Sequence, residues 1–177
     1  MSELKSDKLS PRTASGTVTL GTSGDTFEIP SGVTFTNSGT ATGFGKVLQV
    51  LSVNDTTVLT LSSTTYTDTG LTQAITPSAS SSKVLIMFNA QAHLHQYEGF
   101  GVKLLRDSTG ILESANSHDV YSVGDGQRLR GSWIYLDSPS TTSSVTYKVQ
   151  ASSFASNTIE MNSNGHHTSM TLMEIGA

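Results

Sequence analysis

K-V-L-I-M-F-N-A-Q-A-H-L-H, residues 83–95, is the stretch whose reading decides the fold. At a period of two it places Val84, Ile86, Phe88, Ala90, Ala92 and Leu94 on one face, the spacing of a β-strand with one buried side. The opposite face starts apolar, with Leu85 and Met87, and turns polar through Asn89, Gln91, His93 and His95. Such a strand lies on a core with one side and is half covered on the other. No stretch of the chain has helical periodicity to supply that cover. The remaining candidate is another copy of the same chain.

Composition points the same way. Serine and threonine are the two most frequent residues, and there are 16 glycines. Threonine and the β-branched aliphatics favour pleated sheet, while serine and glycine favour turns. At 177 residues the chain is long enough for one sizeable core. Only 14% of its residues are charged and the formal net charge is −4, with the ten basic residues scattered. Nucleic-acid binding needs a basic stripe with interleaved aromatics, which is missing. Without cysteine, disulfides and thiolate metal sites are excluded. The polar start, M-S-E-L-K-S-D-K-L-S, lacks the apolar core of a secretory signal, and the apolar run 84–88 is far too short for membrane insertion. The expectation is assembly in a cytoplasm.

Outward from residues 83–95, strands are predicted over 46–53, 56–62, 71–75, 100–106, 111–114, 127–136, 145–151, 158–161 and 169–175. Asn54 and Asp55 read as a tight turn joining the first two, and a long loop runs from 115 through Gly126. In 169–175 both faces are largely apolar, so this strand belongs mid-sheet or against a partner subunit. The spacing predicts an all-β fold, an antiparallel jelly-roll sandwich over 46–177. Before it, residues 16–45 hold three short apolar pairs, Val18 with Leu20, Phe27 with Ile29 and Val33 with Phe35, punctuated by glycines. These cannot close a core alone. They suffice as a short β-rich stalk if three copies wind round one axis, the alternative being a meander folded onto the head. Residues 1–15 are polar and read as an extended arm, either frayed or ordered by docking on another protein.

Chemistry-bearing residues are few. His93 and His95 point the same way from one strand, about 7 Å apart. One pair fills a metal shell poorly, but three copies meeting on a trimer axis would offer six nitrogens to a transition-metal ion. Otherwise the pair lines a solvated face. Gly165-His166-His167 reads as a loop tip. Ser117-His118-Asp119 has the letters of a triad, yet triad members come from separate elements and no G-x-S-x-G turn is present. Asp107, Glu113, Asp119, Asp125 and Asp137 are dispersed over loops. The chain therefore reads as not an enzyme. Tyr66, Tyr97 and Tyr121 lie near loops, where a ring could stack on a sugar or face a receptor, or else pack inside or between subunits. Trp133, mid-strand among apolar neighbours, reads as structural.

Several segments resemble a known group. G-D-T-F-E-I-P-S-G-V-T-F-T-N-S-G-T-A-T-G-F-G (24–45) resembles the stalk repeat of small tail-fibre-like virion proteins of marine phages, and K-L-S-P-R (8–12) their attachment lead-in. Y-L-D-S-P-S-T-T-S-S-V-T-Y-K-V-Q (135–150) and T-L-M-E-I-G (171–176) resemble their C-terminal domain, which is similar to the trimeric jelly rolls of the C1q and tumour-necrosis-factor type. The resemblance implies a homotrimeric phage structural protein located in the virion. It would be anchored to a tail or capsid protein through Leu4, Lys5, Lys8, Leu9, Pro11 and Arg12. Its head would project outward toward a host surface glycan or protein. The chain departs from tail fibres in having no long shaft and no polysaccharide-cleaving domain. That leaves two alternatives open: a capsid decoration or cement protein, and a carbohydrate-binding module.

Overall fold

The computed structural model describes residues 9–13, 15–34, 36, 38, 46–114 and 118–176. The chain divides into two compact units, 1–43 and 44–177. In the first, the described residues form turns and extended chain with no strand, and Val18, Leu20, Phe27, Ile29 and Val33 are all exposed. Among the described residues of this unit no apolar pair has a hydrogen-bonding neighbour strand, as a lone pair of this length cannot hold one by itself. Phe35 and Leu4, Lys5 and Lys8 of the arm lie outside the described residues.

The second unit is all β. Its strands are β1 (Lys46–Asp55), β2 (Leu59–Leu61), β3 (Thr67–Ile75), β4 (Lys83–Leu94), β5 (Glu98–Arg106) and β6 (Thr109–Glu113). They continue with β7 (Val120–Ser122), β8 (Gln127–Asp137), β9 (Val145–Ser153), β10 (Ile159–Met161) and β11 (Thr168–Gly176). No α-helix occurs among the described residues.

Two antiparallel sheets face each other. In the first, β4 pairs with β8 over Val84–Leu94; on its other edge it pairs with β11 over Lys83–Asn89 and with β10 over Ala92–Leu94. β1 lies outside β11, and β2 outside β10. The second sheet runs β3–β9–β5, with β6 and β7 sharing the far edge of β5. Successive long strands alternate between the sheets, which is the winding of a jelly roll.

The core lies where the alternation puts it. Val84, Ile86, Phe88, Ala90, Ala92 and Leu94 are all buried, against Phe100, Val102, Leu104, Tyr147 and Val149 of the second sheet. Each large side chain there contributes about 1.5–3 kcal/mol relative to exposure. Trp133 stacks on Phe88 at 5.2 Å between ring centres and meets Phe100 edge-on at 6.3 Å. Its indole lies over Gly131, where an added Cβ would sit 2.2 Å from the ring.

Two expectations are corrected. Asn54 and Asp55 do not turn a hairpin: they end β1, which pairs with β11, whereas β2 pairs with β10. The Asp55 carboxylate instead accepts from the Thr57 amide at 2.9 Å, a local turn that sends the chain past β1 without folding it back. The long loop before Gly126 is interrupted by β7, whose Gly99↔Tyr121 pairing extends the edge of β5. β11 sits mid-sheet between β1 and β4, the first of the two positions its sequence allowed.

Candidate functional site

The outer face of the first sheet divides along β4. At the start of β4, cross-strand register sets Leu85 beside Leu136 and Met173, and Met87 beside Ile134 and Thr171. One strand further out, Val50 adjoins Met173 and Val47 adjoins Ile175. Paired residues in a sheet share a face, so Val47, Val50, Leu85, Met87, Ile134, Leu136, Met173 and Ile175 form one apolar surface. Ile134 is 70% exposed, Val47 56%, Val50 53% and Leu136 51%. Leu48, the extra residue of a bulge in β1, adds to its rim. A shallow depression of about 300 Å³ opens in this face, between Met87 and Ile134 on one side and Ser169 and Thr171 on the other. Lone exposed apolar side chains are ordinary, but a contiguous group on a pleated surface marks a contact site.

At the far end of β4 the same face becomes polar. His93 lies directly across from Glu160 of β10, the strand expected over 158–161. One Glu160 carboxylate oxygen lies 3.7 Å from Nδ1 of His93 and 3.5 Å from Nε2 of His95. The two imidazoles are 4.3 Å apart between ring centres. Sequence reasoning paired the histidines but missed the carboxylate. Alternation put Glu160 opposite the buried Ile159 and Met161, yet no local signal says which strand β10 joins.

His95 and Glu160 border an open cleft of about 420 Å³ whose other walls are Gln96, Ser156, Asn157 and Thr158. Glu98, fully buried at the start of β5, shapes that wall. Its carboxylate accepts from the amides of Ala155 at 2.7 Å and Asn157 at 2.9 Å, as well as from Gly99 at 2.9 Å. A buried carboxylate is tolerated because these donors replace its water.

The other sequence candidates fall as follows. Tyr97 is 61% exposed in the β4–β5 turn, and Tyr121 is 47% exposed, edge-on to Phe154 at 5.7 Å. Tyr66 is half-buried, donating to the Ser114 carbonyl at 3.4 Å. Burial, and after it the Glu113 carboxylate, pushes its phenol above the ordinary value. Of the arm, Leu9 and Arg12 are exposed and Pro11 half-buried. His166 and His167 are exposed in the β10–β11 loop.

The carboxylates noted in the sequence whose partners are described serve the architecture of the sandwich. Asp119 accepts from Ser114 at 2.6 Å and from the Trp133 indole at 2.8 Å. Asp107 accepts from the Thr146 amide at 2.9 Å, Glu113 pairs with Lys103 at 2.8 Å, and Asp137 with Arg106 at 3.0 Å. Asp119 is therefore committed to the Trp133 side of the sandwich. Ser117 lies outside the described residues.

No protein-family model matches the chain, and no curated protein matches it in sequence. Among solved structures it is similar to the infectious bursal disease virus VP2 subviral particle, at 10% identity and a TM-score of 0.41. The likeness covers 71% of this chain and 32% of that one, so the chain spans about a third of the protein it matches. A likeness this weak says nothing about function. The two-sheet fold rests on the register above.

Proposed function

We propose that the chain is a virion structural protein that works as a homotrimer, a short fibre or knob held to the particle by its N-terminal arm. The observation that carries the assembly is the apolar half of the first sheet's outer face. Eight side chains from β1, β4, β8 and β11 lie together there, and no described residue of the second unit covers them. The occupant is a second and third copy. The same chain also exposes Val18, Leu20, Phe27, Ile29 and Val33, which cannot form a core singly but can around a shared axis. Two separate regions thus lack the same thing. Obligate interfaces of this kind bury about 2,000–5,000 Å². The place in a phage virion is supported by the resemblance of 8–12, 24–45, 135–150 and 171–176 to tail-fibre-like proteins.

Exposed Tyr97 and Tyr121 favour a head that touches another surface, such as a host glycan or protein. A capsid cement protein would use the same trimer and the same arm but dispense with that contact. Deleting residues 2–12 separates these readings in whole particles. The fibre reading expects lost incorporation, intact capsids and poor adsorption to cells. Lost incorporation with fragile capsids would point to cementing, and normal incorporation would overturn the arm as anchor. Light scattering of purified chain reporting a monomer at micromolar concentration would overturn the trimer.

A further inference from the structure

We propose that His93, His95 and Glu160 of a single chain form a binding site for one divalent transition-metal ion of the zinc class. The site goes beyond the assembly proposed above and does not depend on it. Ligand atoms held by a tetrahedral zinc at about 2.0–2.1 Å lie about 3.3 Å from one another. Here the Glu160 oxygen is 3.5 Å from one imidazole nitrogen and 3.7 Å from the other, and all three atoms lie within 4.8 Å. Those separations exceed the roughly 2.7–3.2 Å of an N–H···O hydrogen bond. The carboxylate is therefore poised between two nitrogens without a hydrogen bond to either. The two oxygen–nitrogen separations exceed the tetrahedral spacing by only a few tenths of an ångström, and side-chain torsions of His93 and His95 can draw the two nitrogens, already within 4.8 Å, onto one ion.

The backbone fixes the arrangement. Glu160 is held by pairing on both edges of β10, to His93 on β4 and to Thr60 on β2. His95, one residue past the end of β4, has its amide tied to the Thr158 carbonyl at 3.4 Å. Two imidazoles and one carboxylate suit zinc, nickel, cobalt or copper better than calcium or magnesium, which take oxygen ligands. Three protein ligands leave at least one coordination position open, and His95 and Glu160 border the polar cleft at this end of the head. Arg128, across from His93 on β8, gives its guanidinium to the Ser163 hydroxyl at 2.8 Å.

The test is calorimetric titration of chelator-stripped protein with zinc chloride, with cobalt absorption reporting the ligand set. The expected result is one zinc per chain, with affinity falling by more than about tenfold in His95→Ala and in Glu160→Gln. Circular dichroism checks that both variants keep the fold, and His95, 40% exposed on its side chain, is the substitution least able to disturb it. His166→Ala/His167→Ala is the control and should bind as the parent does. No zinc uptake overturns the site. So does uptake of one ion per three chains that survives Glu160→Gln, the signature of histidines alone meeting on an axis.

Discussion

The Tyr147 hydroxyl donates to the Asp137 carboxylate at 2.7 Å, and that bond joins the two sheets. Tyr147 belongs to β9 and Asp137 to β8; Arg106 of β5 reaches the same carboxylate from the second sheet. Burial, with Asp137's charge behind it, pushes the Tyr147 phenol well above its ordinary value. Tyr147→Phe leaves the carboxylate short of one donor in a nearly dry site. It should cost about 1.5–3 kcal/mol, the range for a hydrogen bond to a charged group. Urea unfolding checks this as a lower midpoint at unchanged slope.

Glu174 predicts an acid limb. Burial alone would raise its pKa, but bonds from the Ser78 hydroxyl and amide and the Gln49 side chain outweigh that and hold it at about 2. The unfolded chain titrates this group near 4.5, so it takes up the proton first as pH falls. The contribution is complete above about pH 4.5 and lost progressively toward pH 2. Glu174→Gln should flatten the part of the stability profile between those values, measured as the difference from the parent in denaturant titrations.

Ile134→Glu tests the outer face without touching the core. The side chain is 70% exposed in one chain, so the substitution leaves the sandwich intact. Placed between subunits, the same charge would be desolvated without a partner. The expected outcome is an unchanged far-ultraviolet spectrum with dissociation to monomers in analytical ultracentrifugation.

Gly131→Ala should act through the only tryptophan. The new methyl group would lie 2.2 Å from the Trp133 ring, so the indole must leave its place on Phe88 and its bond to Asp119. Overpacking of this kind costs about 1–3 kcal/mol. Fluorescence of the single tryptophan should shift to the red as the ring moves toward water.

What the sequence made legible was the face each strand buries. Strict alternation over 83–94 and 145–151 announced the core, because a slip of one residue would turn every apolar side chain to solvent. Partner choice was not legible. Asn54 and Asp55 look like a hairpin turn, yet Asp55 pairs with Thr168, more than a hundred residues on. Nothing near Lys46–Asp55 encodes that choice. The candidate metal site shows the same division. His93 and His95 are neighbours in sequence and were found together, while Glu160 reaches them only through the β10–β4 pairing. The described residues between 15 and 34 show the limit from the other side: a period-two pattern is a capacity for pairing, and there it forms no strand.

The position of β11 between β1 and β4 sets the order in which the protein can be made. Both neighbours leave the ribosome long before β11 does, and each meets water with an unpaired edge. The nascent head therefore cannot close its first sheet during most of its own translation. It must wait, exposed to premature strand exchange with other nascent copies, until the residues after Gly165 emerge. A premature stop in the β10–β11 loop would yield an aggregating product and not a smaller working head.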